Sequence, residues 1–522
     1  MKVFHDRPKS LAFVVIATAS SISFSTADAA TYEVGDGKPY ATIGAVPWES
    51  LMAGDTVLIH WRASPYREKW VIGRTGAIGS PLVVRGVSGP GGIRPVIDGE
   101  NATTRLALDY WNEQRSVIKF GGSSIPADIQ PQHVVVENLD IRGARPPNTF
   151  TDDADNVLAY SMNAAAIHIE RGANITIRNC LLRDSGNGLF VTSSNGEAAS
   201  DILVEGNYIL GNGNSGSIFE HNVYVAGIGM VFQYNRFGPL LSGAGGNNLK
   251  DRSAGLVVRY NWIEGGNRQL DLVDGEDSVL IRTHPAYATT HVYGNVLIEP
   301  ADAGNKQITH YGGDSGATAN YRNGTLYFHH NTVVSTRTDG TTLFRLSSNA
   351  HRCDARNNIA FVTTAGNGLA MLDSNGVLDL SHNWFKPGWR DTFGSLGGTI
   401  NDDGSSIESA SPGFVDFANQ AFQLKSDSVC IDAATTLASA LLPAHAVTRE
   451  YVDHQSSRAR VQSGPSNDVG AYEYFHPGAV PSASGWGVAI LALLLVAIGS
   501  AISSRIGLRN HRPKRNRRLY QG

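Results

Sequence analysis

Two cations stand two residues apart in "NNLKDRS" (247–253): Lys250 and Arg252, on a chain whose formal net charge is −4. On a β-strand that spacing puts both side chains on one face. Other chemistry-bearing residues recur in nearby segments: His221 and Tyr224 in "FEHNVYV" (219–225), Asp271 in "RQLDLVDGED" (268–277), His310 and Tyr311 in "QITHYGGD" (307–314), and Arg345 in "LFRLS" (343–347). Such a set suits β-elimination on a uronate-containing glycan. That reaction removes the C5 proton, neutralises the carboxylate and protonates the leaving oxygen. Lys250 is the expected base, its pKa lowered by neighbouring Arg252. Arg252 is the expected clamp on the uronate carboxylate. Tyr224, His221 or His310 is the expected proton donor. A competing chemistry uses the carboxylates of 271–277 (Asp271, Asp274, Glu276 and Asp277) as a glycoside-hydrolysing pair. A third reading is a non-catalytic surface solenoid that binds glycan or builds structure.

What could bring these segments together is a repeat. Asparagine follows two or three alternating apolar residues at Asn138, Asn179, Asn207, Asn235, Asn261, Asn295, Asn331, Asn358 and Asn383. From Asn179 onward the spacings run 28, 28, 26, 34, 36, 27 and 25. A period of that size marks a solenoid. The intervening runs alternate with period two and show no amphipathic helical pattern, which predicts a right-handed parallel β-helix of short strands. The asparagines are expected to stack as a hydrogen-bonded ladder at one corner, beside glycines that permit left-handed turns. With Leu249, Leu270, Leu272 and Ile308 pointing inward, the outward set becomes Asn248, Lys250, Arg252, Asp271, Gln307, Thr309, Tyr311 and Arg345. The candidate catalytic residues are therefore Lys250, Arg252, His221 and Tyr224. The candidate substrate-binding residues are Asn248, Asp271, His310, Tyr311 and Arg345, and no residue is assigned to a metal.

Residues 40–72 ("YATIGAVPWESLMAGDTVLIHWRASPYREKWVI"), 81–99 ("PLVVRGVSGPGGIRPVIDG"), 411–435 and 467–474 ("NDVGAYEY") resemble the opening and closing segments of secreted β-helix proteins. The alginate lyase and chondroitinase B family of polysaccharide lyases is the example followed here. "NLKDRSAGLVVRYN" (248–261) resembles that family's lysine-bearing coil, with the family lysine falling on Arg252 and Lys250 two residues before it. The resemblance also implies a calcium ion held by acidic residues one strand earlier. Here that stretch is "LLSGAGGNN" (240–248), which carries no carboxylate.

The ends carry their own signals. Residues 1–29 read as a signal peptide: Lys2, Arg7 and Lys9, an apolar run over 11–24, then Ala27-Asp-Ala29. Residues 486–507 form a second apolar run, long enough to span a bilayer as a transmembrane helix, followed by a basic tail. Val480-Pro-Ser-Ala-Ser-Gly-Trp-Gly487 before it is similar to the IPTL-CTERM class of bacterial sorting signal. That similarity implies an envelope protein tethered to the membrane and a sorting protease that cuts near Pro481. The expected layout is a signal peptide (1–29), an N-terminal cap with the first coils (30–130), the β-helix (131–400), a closing segment (401–478) and the sorting signal (479–522). Without its basic tail the body is more acidic than the whole chain, which excludes a nucleic-acid partner and leaves polysaccharide. The three cysteines lie in apolar runs and read as small buried hydrophobes.

Overall fold

The computed structural model describes residues 29–475. The signal peptide and the sorting signal with its apolar span lie outside the described residues, and no helix among those described is long and apolar enough to cross a membrane.

Three long sheets run the length of the molecule. The first has 13 strands, from Thr31–Val34 to Thr399–Asp402. The second has 11 and closes on Ile407–Glu408, and the third has 13 and closes on Leu369–Leu372. Each coil visits the sheets in turn: Val231–Gln233, Arg236–Phe237, Leu249–Asp251, then Val257–Arg259 beside the strand where the coil began. Neighbouring strands within each stack pair in parallel, apart from one antiparallel hairpin, Thr149–Thr151 with Val157–Ala159. The fold is a parallel β-helix. Its interior is a continuous apolar column of Val, Ile, Leu and Phe side chains from all three sheets, the arrangement that period-two alternation produces when one face of every strand is buried.

The corner between the first and second sheets is fixed by the asparagine ladder. Asn235 receives hydrogen bonds at its Oδ1 from the backbone N–H and the Nδ2 of Asn207, both at 3.0 Å. The same pair of bonds repeats from Asn235 to Asn261 and onward to Asn383. Each rung thereby satisfies buried polar groups that the bend takes out of the strand ladder. The residue before each rung is left-handed: Gly206, Tyr234, Tyr260, Gly294, His330, Asn357 and His382 all have φ between 50° and 66°. Glycine and asparagine adopt this readily, and Tyr234 compensates by stacking on Tyr260 at 5.9 Å.

The ladder starts later than the repeat suggested. Asn138 and Asn179 occupy the left-handed position themselves, with φ of 58° and 52°. Leu139 and Cys180 fill the inward rung position after them, and Cys180 N–H donates to Asn207 Oδ1 at 2.9 Å. Asparagine is suited to both jobs, so spacing alone did not separate them. All three cysteines are buried and free.

Candidate active site

The third sheet carries the chemistry. Its corner with the second sheet has a polar ladder of its own: Asn212 Nδ2 donates to Asn222 Oδ1 at 3.0 Å, and Asn222 Nδ2 to Asn248 Oδ1 at 2.5 Å. Gln269 takes the next step, with its Nε2 on Glu299 Oε2 at 2.6 Å. At this bend two successive residues point inward, Asn248 with Leu249 and Gln269 with Leu270. Strand pairing then sets Phe190, Tyr224, Lys250, Asp271, His310 and Arg345 side by side in one column across consecutive coils.

Two expectations from the sequence are corrected here. Asn248 is fully buried in the corner ladder, its Nδ2 donating to Glu264 O at 2.9 Å and Gly265 O at 2.7 Å. Tyr311 pairs in register with Leu272 and lies in the apolar core. The outward count slipped because Ile308 occupies the corner position of Asn248 and Gln269, not that of Leu249. Counting by twos from Ile308 therefore turned Thr309 and Tyr311 outward, whereas His310 is the residue in the outward column.

Lys250, Arg252, His221, Tyr224 and Asp271 line a cleft of about 760 Å³, together with Asp314, Glu276, Arg268, Asn247, Glu220 and an apolar rim of Met162, Ile218 and Phe219. Lys250 Nζ lies 2.9 Å from Asp271 Oδ2 and 2.5 Å from Asp314 Oδ2. Arg252 donates through Nε to Tyr224 Oη at 2.9 Å and through Nη1 to Asp274 O at 2.7 Å. Its Nη2 holds two carboxylates at once, Glu276 Oε1 at 2.7 Å and Asp314 Oδ1 at 2.9 Å. Next in the column, His310 Nδ1 meets Asp271 Oδ1 at 2.8 Å and His310 Nε2 meets Ser347 Oγ at 2.9 Å. Arg345 lies one coil beyond His310 and does not line the cleft.

The loops that complete the cleft are tied down. Arg322, fully buried, donates through Nε to Val273 O at 2.9 Å and pairs with Asp251 Oδ2 at 3.1 Å, while its own N–H bonds Gly312 O at 3.1 Å. It thus links the turn bearing Glu276 to the loop bearing Asp314. Asp314 N–H also donates to Asp274 Oδ1 at 2.9 Å. On the opposite wall His221 Nδ1 accepts from Asn247 N–H at 2.8 Å. That close approach depends on Gly246, where a Cβ would lie 1.8 Å from Glu220 O.

The electrostatics differ from the sequence expectation. Burial disfavours the Lys250 ammonium, but Asp271 and Asp314 outweigh burial and hold its pKa above the ordinary lysine value. A lysine so held is not a base at neutral pH, and the lowering expected from Arg252 is overcome. Asp271 and Asp314 are held below the usual carboxylate range against the opposing effect of burial, Asp271 by Lys250 and His310, Asp314 by Lys250 and Arg252. Glu276 is pushed the other way, by burial and by Asp277, Asp274 and Asp314, against the pull of Arg252. Burial, then Lys250, lowers His221 to about 3, so its imidazole is neutral. With Nδ1 accepting, the remaining proton sits on Nε2. Tyr224 is raised by burial against Arg252 and Lys250 and keeps its proton.

The calcium implied by the lyase resemblance does not fit these residues. The stretch 240–248 carries no carboxylate, and Asp271, Asp314 and Glu276 are engaged by Lys250, Arg252 and His310. This leaves Glu220, with an unpartnered Oε2 beside the unpartnered Oδ1 of Asn247, as the one cleft acid outside these ion pairs among the described residues. Among the described residues no group of His, Cys, Asp or Glu is arranged to hold a metal.

Asp314, Arg268, Asn247 and Glu220 were not selected from the sequence. Asp314 had a signal: it ends the quoted segment "QITHYGGD", just after Gly312-Gly313.

No family model matches the chain, and no curated protein does. Among solved structures it is similar to a pectate lyase, 11% identical with a TM-score of 0.43 over 85% of this chain and 96% of that one. It is also similar to an alginate lyase from Paenibacillus sp., 12% identical, TM-score 0.40, over 68% and 99%. A lacto-N-biosidase from Eubacterium ramulus is 12% identical, TM-score 0.45, over 72% and 67%. These likenesses are too distant to carry a reaction across, so the functional reading rests on the cleft itself.

Proposed function

We propose that the cleft binds a polysaccharide and hydrolyses a glycosidic bond with a carboxylate pair, Glu276 as general acid and Asp314 as nucleophile. The observation that supports this is the sharing of one guanidinium nitrogen, Arg252 Nη2, by both carboxylates at the cleft surface. Two oxygens on one nitrogen are closer than two hydrogen-bond lengths. That bound suits the short spacing of double-displacement glycosidases (about 5–5.5 Å) better than the wider gap that admits a water between the carboxylates. Their environments also drive them apart in protonation, Glu276 upward and Asp314 downward, which is how one site supplies an acid and an ionised carboxylate together. Asp314 would attack the anomeric carbon while Glu276 protonates the departing oxygen. Water, deprotonated by Glu276, would then release the sugar from Asp314. Phe219, 73% exposed on the rim, offers an apolar face for a sugar ring.

Elimination is the second reading. It is favoured by Tyr224, which accepts its hydrogen bond from Arg252 and so has its own proton free for a leaving oxygen. Against it stand the ammonium state of Lys250 and the several carboxylates around Lys250 and Arg252, which oppose a uronate there.

Product analysis across alginate, pectate, glycosaminoglycans and neutral glycans separates the readings. Hydrolysis gives new reducing ends with retained anomeric configuration by NMR and no ultraviolet chromophore. Unsaturated uronic products would overturn it in favour of elimination, and binding without turnover would leave a glycan-binding solenoid. We place this activity on an exported, envelope-tethered chain, from the signals at its ends.

A further inference from the structure

The outward column does not end at the cleft. Past His310 it reaches Arg345, two coil steps or roughly 10 Å from Asp271 along the sheet. Arg345 is half-buried on a strand, yet among the described residues its guanidinium makes no hydrogen bond or ion pair. The contrast with its neighbours is sharp. Arg252, Arg322, Arg337, Arg352 and Arg356 all hold carboxylates within 3.3 Å. A guanidinium has five donors in a fixed fork, and leaving them unspent in a partly dry position is costly.

A second arginine faces the same stretch. Arg268 lines the cleft and is about nine-tenths buried. It spends Nε and Nη2 on one neutral acceptor, Gln307 Oε1, at 3.1 and 2.7 Å. Its nearest carboxylate contact is 3.9 Å from Nη1, at Asp271 Oδ1, which His310 already holds. The neighbouring acid Asp373 is taken by Gln307 Nε2 at 3.0 Å. Burial lowers the Arg268 pKa most, Asp271 opposes it, and Arg345 lowers it further against the weaker pull of Asp373 and Asp314, so the two guanidinium groups are close enough to repel each other.

We infer that Arg345 and Arg268 form an anion subsite for a carboxylate or sulfate carried by the glycan, beside the carboxylate pair, with Arg268 in the coil of Asp271 and Arg345 two coils further on. This rests on the polysaccharide reading above and refines it. The sugar at the reacting centre meets carboxylates and is neutral, while a sugar further along the chain is charged. The substrate class is a heteropolysaccharide with spaced acidic groups, not a homopolymer of uronate.

The test is a printed array of neutral glycans and their uronate-bearing or sulfated counterparts, probed with the exported chain and with Arg345→Met and Arg345→Lys. The two acidic arms distinguish carboxylate from sulfate. One charged hydrogen-bonded pair corresponds to a preference of about 10- to 100-fold for the acidic member of a matched pair. The preference should shrink with added salt, vanish in Arg345→Met and be partly kept in Arg345→Lys, with unchanged thermal midpoints. Glycan binding with no preference for charge, or a preference that survives Arg345→Met, would overturn the subsite alone. No binding to any glycan on the array would overturn the polysaccharide reading and the subsite with it.

Discussion

The outer faces of the second and third sheets are made by the same coils and put to opposite uses. On the second sheet the outward residues are Trp262, Val296, Ile298, Val334, Ile359 and Trp384. The segment from Phe414 to Tyr472 folds back over them, so Phe422, Tyr451 and Val469 complete a second apolar core. On the third sheet the outward residues are Tyr224, Lys250, Asp271, His310 and Arg345, and the loops beside them stand back to leave a cleft. A stacked coil provides two faces per strand and the interior uses one. What happens to the other depends on whether the chain has something to lay over it.

The largest expected effect breaks the open face. Asp314→Asn keeps the shape of the side chain but removes the charge with which it attacks the anomeric carbon, and should lower kcat by about 10⁴-fold or more with little change in substrate affinity. A fall confined to KM would contradict a role in the chemical step. Next come two substitutions that compare the faces directly. Trp262→Ala removes an indole that stacks on Phe422 at 5.6 Å and should cost about 3–5 kcal/mol in denaturant unfolding, through the cavity it leaves. Lys250→Ala should cost about 3 kcal/mol, because it removes the cation nearest Asp271, whose side chain is only 3% exposed and which then keeps only its contacts with Asn247, His310 and, at 3.9 Å, Arg268. The sequence view of Lys250 as an exposed strand residue implied almost no cost. If Lys250→Ala unfolds at the wild-type midpoint, the cleft is more hydrated than its geometry indicates.

The two faces were not equally legible in the sequence. The solenoid was, because its period is written in asparagines that from Asn207 onward perform one repeated structural task. The outward column was half legible. Lys250, Asp271, His310 and Arg345 lie in segments that align by distance from the ladder, but one corner residue, Ile308, shifted the count and turned Tyr311 the wrong way. The sign of the electrostatics was not legible at all. Lys250 beside Arg252 reads as a cationic spot, and only the return of the loop carrying Asp314 and the turn carrying Glu276 shows that both cations are neutralised.

Acid should separate the faces as well. His329 and His330 are buried under the closing segment, and burial holds both far below the ordinary histidine value, while His291, stacked on His445 at 3.5 Å, is lowered to about 3 by burial and then by His445. The unfolded chain takes up protons on these rings below about pH 6.5, and the native rings do not. Native stability therefore falls as pH drops through that window, by about 1.4 kcal/mol per pH unit for each such ring. Limited proteolysis at pH 5 should cut the closing segment faster than at pH 7. Equal rates at both pH values would mean that the closing segment is not held through these neutral rings.

The smallest effect tests whether a residue that looks like part of the open face belongs to the frame. Asn248 precedes Lys250 by two residues, and by alternation alone it would contact substrate. In the structure its Oδ1 accepts from Asn222 and its Nδ2 donates to Glu264 O and Gly265 O, all out of reach of the cleft. Asn248→Ala leaves those groups buried without partners, which costs about 1–3 kcal/mol. The variant should unfold earlier in denaturant while kcat and KM, measured well below that transition, stay at wild-type values. Asn248→Asp offers the sharper contrast. It keeps an acceptor for Asn222 but loses the donor to both carbonyls, and it places a charge in a dry corner, so it should be at least as destabilising as alanine. A rise in KM for either variant without loss of stability would return Asn248 to the binding surface and would mean that the corner opens when glycan is bound.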